Sequence, residues 1–247
     1  MSYWIYGKHT VHEVLLSNSK PQKVLIAQGV HDPKIQEIIK LANRKKVTIE
    51  FAPKKIFETR FQGNHQGIAI FLESMPIYEF KSFFSAREFK NEFVCMLDEI
   101  QDPQNLGSMI RSAVCLGCTA IILPTWRSAS LTETVIRASS GAAAHIPIIE
   151  IANLTVAIDR LKEKGFFIYG ADVDHKNSLH NTSFSFPMAL ILGNEQRGIK
   201  PILKNMCDQL ITIPQAPQLN SLNVGCAAAV FFYEIHKQLT LKNLNIS

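Results

Sequence analysis

Two hydrophobic rhythms alternate along the chain. Short runs of apolar and β-branched residues are separated by stretches in which apolar positions recur every three or four residues. The first rhythm marks strands and the second marks amphipathic helices. In the first third, strands are predicted at "KVLIAQ" (23–28), "VTIEF" (47–51) and "GIAIFLE" (67–73). Between the first two lies "DPKIQEIIKLANRKK". Asp32 is placed there to cap a helix, Pro33 stands at its first position, and Ile35, Ile38, Ile39 and Leu41 follow at helical spacing. Residues 74–92 are polar, broken by Pro76, and read as a linker carrying a short helix. From residue 93 the strands are "FVCML" (93–97), "AIILP" (120–124), "IPIIEI" (146–151), "FFIYGA" (166–171), "ALILG" (189–193) and "LITIP" (210–214). Several are apolar at every position, as in a parallel sheet covered on both faces. The expected organisation is a small α/β domain at 1–73, a linker at 74–92 and a larger α/β domain at 93–247.

Composition narrows the class. With 247 residues, 47% hydrophobic and 19% charged, the chain matches an ordinary globular protein. No apolar run reaches the length of a membrane span. The N-terminus lacks the basic and then apolar segments of a secretory signal. A cytoplasmic location is expected, with Cys95, Cys115, Cys118, Cys207 and Cys226 as free thiols. The charge is unevenly spread. Residues 1–72 hold 11 lysines and arginines against 5 acids, while the remainder holds 15 against 16. A basic front joined to a neutral body suits a nucleic-acid partner, and equally a solvated lysine-rich surface.

Candidate chemistry lies in three polar clusters that follow strands, where open α/β sheets place their ligands. They are "DEIQDPQNLGSMIRSA" (98–113), "LILGNEQRGIKP" (190–201), where a strand runs into a Gly-Asn-Glu-Gln-Arg-Gly turn, and "ITIPQAPQLNSLNVGCAAAVFFYEI" (211–235), where a strand and a proline-rich loop lead into a long apolar helix. Singly, each reads as an ordinary turn. Asp102-Pro103 opens one, with Asn105 capping the helix that follows; Glu195 is a loop residue; Ser221 caps the last helix. Three such clusters in one domain point to a site. The chain has no G-x-G-x-x-G and no G-x-x-x-x-G-K-[ST], so glycine-rich phosphate cradles are unsupported. A lone "CLGC" (115–118) falls short of the about four ligands of a zinc site, and no metal is expected. His145 reads as structural, and no G-x-S-x-G elbow makes Ser221 a hydrolase nucleophile.

In order and spacing, the three clusters resemble the motifs of the SpoU-type branch of the SPOUT RNA methyltransferases. Asp102, Pro103, Asn105, Gly107, Arg111 and Ala113 match the first motif. Gly193-Asn194-Glu195 with Gly198 match the second, and Ile213-Pro214 with "SLNV" (221–224) the third. At the front, "YGKHTVHEVLL" (6–16) and "HQGIAI" (65–70) are similar to the substrate-binding domain of bacterial 23S rRNA guanosine 2′-O-methyltransferases. That domain itself resembles a ribosomal protein that binds kinked RNA.

The resemblance implies a C-terminal domain with a parallel sheet and a deep trefoil knot, S-adenosylmethionine as cofactor, a homodimer, and methylation of a ribose 2′-hydroxyl in RNA. The front domain favours a guanosine of 23S rRNA. The alternatives are a tRNA ribose methyltransferase and an inactive RNA-binding assembly factor. Leu192, Gly193, Ile213, Pro214 and Leu222 are implied to contact the cofactor. Asn105, Arg111, Glu195, Ser221 and Asn223 are implied to serve catalysis. Arginine is a poor base, so Arg111 is assigned to stabilising negative charge. The candidate RNA contacts are Lys8, His9, Lys45, Lys46, Lys54, Lys55 and His65. Departures fall in the cofactor loops. Gln215 and Pro217 stand where the family usually has Met and Gly, Gln196 where it has Gly, and Gly225 where it has Ser. The last helix, "NVGCAAAVFFYEIHKQL", is apolar around much of its circumference, which suits a core helix or a dimer face.

Overall fold

The computed structural model describes residues 2–75, 77–85, 87–216 and 221–244. The chain forms two compact units, Met1–Pro76 with Leu131–His145, and Ile77–Ser130 with Ile146–Ser247.

In the first unit the elements are β1 (Tyr3–Tyr6), α1 (Lys8–Leu16), β2 (Pro21–Ala27), α2 (Pro33–Arg44), β3 (Thr48–Ala52), α3 (Lys54–Arg60) and β4 (Ile68–Leu72). The strands lie in the order β1-β4-β2-β3 among the described residues. β4 is antiparallel to both neighbours, and β2 is parallel to β3. α2 starts as its sequence dictates. The Asp32 carboxylate accepts the Lys34 N–H at 2.9 Å, and Ile35, Ile38 and Ala42 face the core. On the other side of the sheet, Leu25, Ala27, Ala52 and Ala69 are small enough to admit Phe57 and Phe61. β1 was not expected, because four residues are too few to establish an alternation.

The second unit begins inside the stretch read as a linker. β5 (Ile77–Glu79) pairs with the edge of a sheet, and α4 (Phe80–Ser85) buries Phe80 and Phe84 in its core. Then come β6 (Phe93–Leu97), α5 (Pro103–Cys115) and β7 (Ala120–Pro124). α6 (Glu133–Ala138) follows in the chain but packs in the first unit. There the Trp4 N–H donates to Glu133 Oε1 at 2.6 Å, and the Arg137 guanidinium lies 4.3 Å over the Tyr6 ring. The chain returns with β8 (Ile148–Ile151), α7 (Leu154–Glu163), β9 (Phe167–Ala171), β10 (Met188–Leu192), α8 (Pro201–Met206), β11 (Gln209–Ile211) and α9 (Val224–Leu244).

The strand order of this second sheet among the described residues is β11-β9-β10-β6-β7-β8-β5, and every pairing is parallel. β6 and β10 are buried at every position, which explains their unbroken apolar sequence. One face carries α4, α7 and α8, through Phe84, Ile158 and Leu203. The other carries α9, with Phe232 against Phe93 at 5.7 Å, and α5 packs along α9. A fully buried side chain of this size contributes about 1.5–3 kcal/mol. All-parallel pairing brings the carboxyl ends of the strands to one edge, and the three polar clusters lie there.

Candidate active site

α5 starts at the carboxyl edge of β6. Its N-cap is Asp102, whose carboxylate accepts the Gln104 N–H at 2.9 Å, with Pro103 in the first turn. The expectation that Asn105 caps this helix is corrected. Asn105 lies inside the first turn, and its side chain is free to point across the site. Its Nδ2 donates to Glu195 Oε1 at 3.0 Å, and its Oδ1 accepts from Asn223 Nδ2 at 3.0 Å. One side chain thus joins all three clusters.

The other members are equally fixed. Asn223, not Ser221, caps α9, since its Oδ1 accepts the N–H groups of Gly225 (2.9 Å) and Cys226 (3.3 Å). Asn194 closes the second cluster into a tight turn. Its peptide exchanges hydrogen bonds with Gly198 at 3.1 and 2.9 Å, and its Oδ1 accepts from the Gln196 and Arg197 N–H groups. Asn194 Nδ2 reaches Glu195 Oε2 at 3.3 Å and the Glu99 carbonyl at 2.8 Å. Glu195 is therefore held by two carboxamides, those of Asn105 and Asn194. Gly193 is required by the turn itself. A Cβ there would lie 2.1 Å from the Gly198 carbonyl carbon and 2.2 Å from the Ile199 nitrogen.

These loops enclose a cavity of about 330 Å³, within the range of small-ligand sites. Leu192, Ile213, Leu222 and Phe231 give it apolar walls, and Glu195 and Asp172 bring carboxylates to it. Gly193, Ser221 and Gln215 also line it, whereas Pro214 does not. Pro217 lies outside the described residues. Arg111 is exposed on α5 and is not part of the cavity wall. Asp172, Val173, Ala227 and Phe231 were missed. The signal for the first two was a polar "DVD" directly after the strand "FFIYGA". The last two were hidden in an apolar helix whose pattern does not distinguish core from cavity.

Beside the cavity sits a charged cluster. Lys200 Nζ lies 2.9 Å from Glu99 Oε1 and 3.3 Å from Asp98 Oδ1, and Arg127 approaches Glu99 at 3.9 Å. The hydrogen bond from Lys200 holds the Glu99 carboxyl below the usual glutamate range against the opposing effect of burial, aided by Arg127 and Arg197. Partial burial opposes the Lys200 charge, yet the bonds to Glu99 and Asp98 outweigh it and raise the ammonium above the ordinary lysine value. The two cysteines of "CLGC" have separate environments. Cys115 is exposed, while burial pushes the Cys118 thiol up to about 12. Among the described residues, no group of three or more His, Cys, Asp or Glu is placed to hold a metal.

The candidate RNA contacts of the first unit divide between two edges of its sheet. β1, β2 and β3 end where β4 begins, so Lys8, His9, Lys54, Lys55 and His65 share that edge. Lys45 and Lys46 precede β3 and lie at the opposite edge. Lys8 is paired with Asp32 at 2.7 Å, and Lys45 donates to the Ser17 carbonyl at 2.6 Å. His65 Nδ1 accepts the Gly67 N–H at 3.1 Å. His9, Lys54 and Lys55 are exposed.

Comparison with known proteins supplies the family. The SpoU rRNA methylase family model matches residues 92–233. The chain belongs to the SpoU rRNA methylase family. A second family model, RNA 2′-O ribose methyltransferase substrate binding, matches residues 4–76. Among curated relatives, the TrmH family tRNA/rRNA methyltransferase YacO of Bacillus subtilis is 35% identical over 95% of both chains. Among solved structures, the SpoU methyltransferase AviRb of Streptomyces viridochromogenes, crystallised with AdoMet, has a TM-score of 0.82 at 19% identity. The likeness covers 97% of this chain and 91% of that one. The TrmH/SpoU tRNA modifying enzyme of A. aeolicus has a TM-score of 0.56 at 21% identity, covering 62% of this chain and 78% of its own. Asn105, Glu195 and Asn223, one from each of the three clusters, all lie within the residues that the methylase model matches.

Proposed function

We propose that the protein transfers a methyl group from S-adenosylmethionine to a ribose 2′-hydroxyl of RNA, at a guanosine of 23S rRNA. The observation that carries this reading is the chain Asn223–Asn105–Glu195–Asn194, which ties the three motifs together at an apolar cavity. The cavity suits the cofactor, with apolar walls for an adenine and two carboxylates for a molecule bearing sulfonium and ammonium charges. When bound, the cofactor supplies an electrophilic methyl group. The chain's own residues do the rest.

A ribose hydroxyl is a weak nucleophile until its proton is drawn away. Glu195 is an acceptor in the cavity wall, and two carboxamide donors fix its direction. Holding it there removes the reorganisation a free carboxylate would undergo. Arg111, exposed on α5 six residues after Asn105, is assigned to the RNA phosphate and to the charge that develops on the 2′-oxygen. Ser221 and Leu222 close the cavity from the third loop. The same reading puts the trefoil knot in the loops after β10 and β11.

The whole-length likeness to the substrate-binding and methylase models favours ribosomal RNA, and the basic edge of the first unit suits its phosphates. The likeness to the A. aeolicus tRNA enzyme covers a smaller share of the chain. We assign a homodimer to the exposed stripe Val230, Tyr233 and Leu241 of α9, which a second copy would cover. No described helix is long and apolar enough to cross a membrane, and the reading places the protein in the cytoplasm with the ribosome. The test is transfer of labelled methyl from S-adenosylmethionine to 23S rRNA and to tRNA. Label in a 23S guanosine 2′-oxygen is expected. Label in tRNA alone, or none, contradicts the reading.

A further inference from the structure

A second cavity, of about 360 Å³, opens at the carboxyl ends of β6, β7 and β8. Asp98 and Glu99 line it from the end of β6, Trp126 and Arg127 from the end of β7, and Lys200 and Ile202 from the start of α8. The chemistry assigned above uses none of them.

Three observations mark it as built for a ligand. Trp126 is 78% exposed, and Ile202 beside it is exposed as well. Large apolar side chains brought together on a rim are the usual lining of a ligand pocket. Asp98 is only 1% exposed and lines the cavity, its Oδ2 accepting the Lys200 N–H at 2.9 Å and its Oδ1 lying 3.3 Å from the Lys200 ammonium. A buried carboxylate is kept only where such partners hold it. Glu99 holds a φ of +57°, a left-handed conformation that residues with a side chain rarely adopt. Such strain concentrates at functional sites. Its carbonyl is gripped by Asn194, which also lines the first cavity, so the two cavities share one hydrogen bond.

We propose that this second cavity takes a guanine base of the substrate RNA, stacked on Trp126 and read at its edge by Glu99 and Lys200. The proposal rests on the reading that the protein acts on RNA. An ionised carboxylate only accepts hydrogen bonds. Among the four bases, guanine alone sets two N–H donors side by side, with a carbonyl next to them for an ammonium. Adenine and cytosine turn a lone pair toward the carboxylate. Uracil has one donor between two carbonyls. Stacking on an indole tolerates any base, so Trp126 supplies affinity and Glu99 supplies choice. RNA modules read unstacked bases in this way, by an aromatic face and by their hydrogen-bonding edges.

The test titrates guanosine monophosphate into the full chain while following tryptophan fluorescence, with adenosine, cytidine and uridine monophosphates in parallel. Guanosine monophosphate is expected to quench with half-saturation roughly tenfold lower than the other three, the worth of one hydrogen bond to a charged group. W126F should remove the quench. E99Q should keep the quench and lose the preference. E99G serves the same purpose without depending on the strained backbone, because glycine is at ease at this φ. Calorimetric titration of S-adenosylmethionine on the same samples reports the first cavity separately, and its heat should be unchanged in all three variants. No quench, equal quenching by all four nucleotides, or a quench that survives W126F overturns the proposal. If the natural chain still binds S-adenosylmethionine, the proposed activity stands despite that. A natural chain that binds none overturns the activity on which the proposal rests.

Discussion

Asn105 stands where its own loop meets two others far along the chain, joined to them by bonds across 90 and 118 positions. Replacing it with alanine removes the donor to Glu195 and the acceptor for Asn223 while leaving the apolar walls intact. Asn105→Ala should lower the turnover of methyl transfer by about 100-fold, the scale of a misplaced reacting group. S-adenosylmethionine affinity should change little. Steady-state kinetics and calorimetry separate the two effects, and equal losses in both would contradict this role. Gly193→Ala acts differently, since backbone occupies the space the methyl needs. It should destabilise the chain by about 2 kcal/mol or more and abolish cofactor binding, read by thermal melting and calorimetry. The identity of these residues was legible in the sequence, but their reasons were not. A glycine required by its own turn looks the same in a sequence as one required by a ligand. An asparagine after Asp-Pro looks like a cap until a second cap is seen to do the work.

The Glu99–Lys200 pair gives a pH signature at the same scale. The folded value of Glu99 lies below its unfolded value, so its contribution to stability is complete above the unfolded value of about 4.3 and is lost as pH falls through the folded one. Lys200 has a raised folded value, so its share is complete below about 10.4 and is lost as pH rises through the folded one. The difference in urea midpoint between the natural chain and Lys200→Met should be steady near neutrality and shrink toward acid. A difference that grows toward acid would reverse the sign.

At the scale of elements, strands buried on both faces were the most legible. β6, β7 and β10 are apolar at every position but one, so their pattern carries their environment. β5 was lost because it is three residues long and exposed at all of them, next to a proline. α6 was assigned to the wrong unit because a contact such as that of Trp4 with Glu133 leaves no periodic trace. The start of α9 shows how elements adapt to one another. Gly225 stands where the family usually has Ser, and a Cβ there would meet Ser108 Oγ of α5 at 2.5 Å. Gly225→Ser should cost about 1–2 kcal/mol alone. Combined with Ser108→Ala, which vacates that oxygen, it should cost far less. Equal costs in both backgrounds, from denaturant unfolding, would show that the two helices are not coupled at this point.

For the whole molecule, the chain joins a basic unit, matched by a substrate-binding model, to a parallel-sheet unit matched by the methylase model. The charge excess of residues 1–72 was visible in the sequence, but its geometry was not. The fold sends five of the seven candidate RNA contacts to one edge and Lys45 and Lys46 to the other. The resulting account is of one RNA held by the first unit and methylated in the second. The most direct measurement maps ribose 2′-O-methylation across 23S rRNA and tRNA from cells with and without the gene. The account predicts the loss of a methyl group from a guanosine of 23S rRNA. Identical maps, or a loss confined to tRNA, would contradict it.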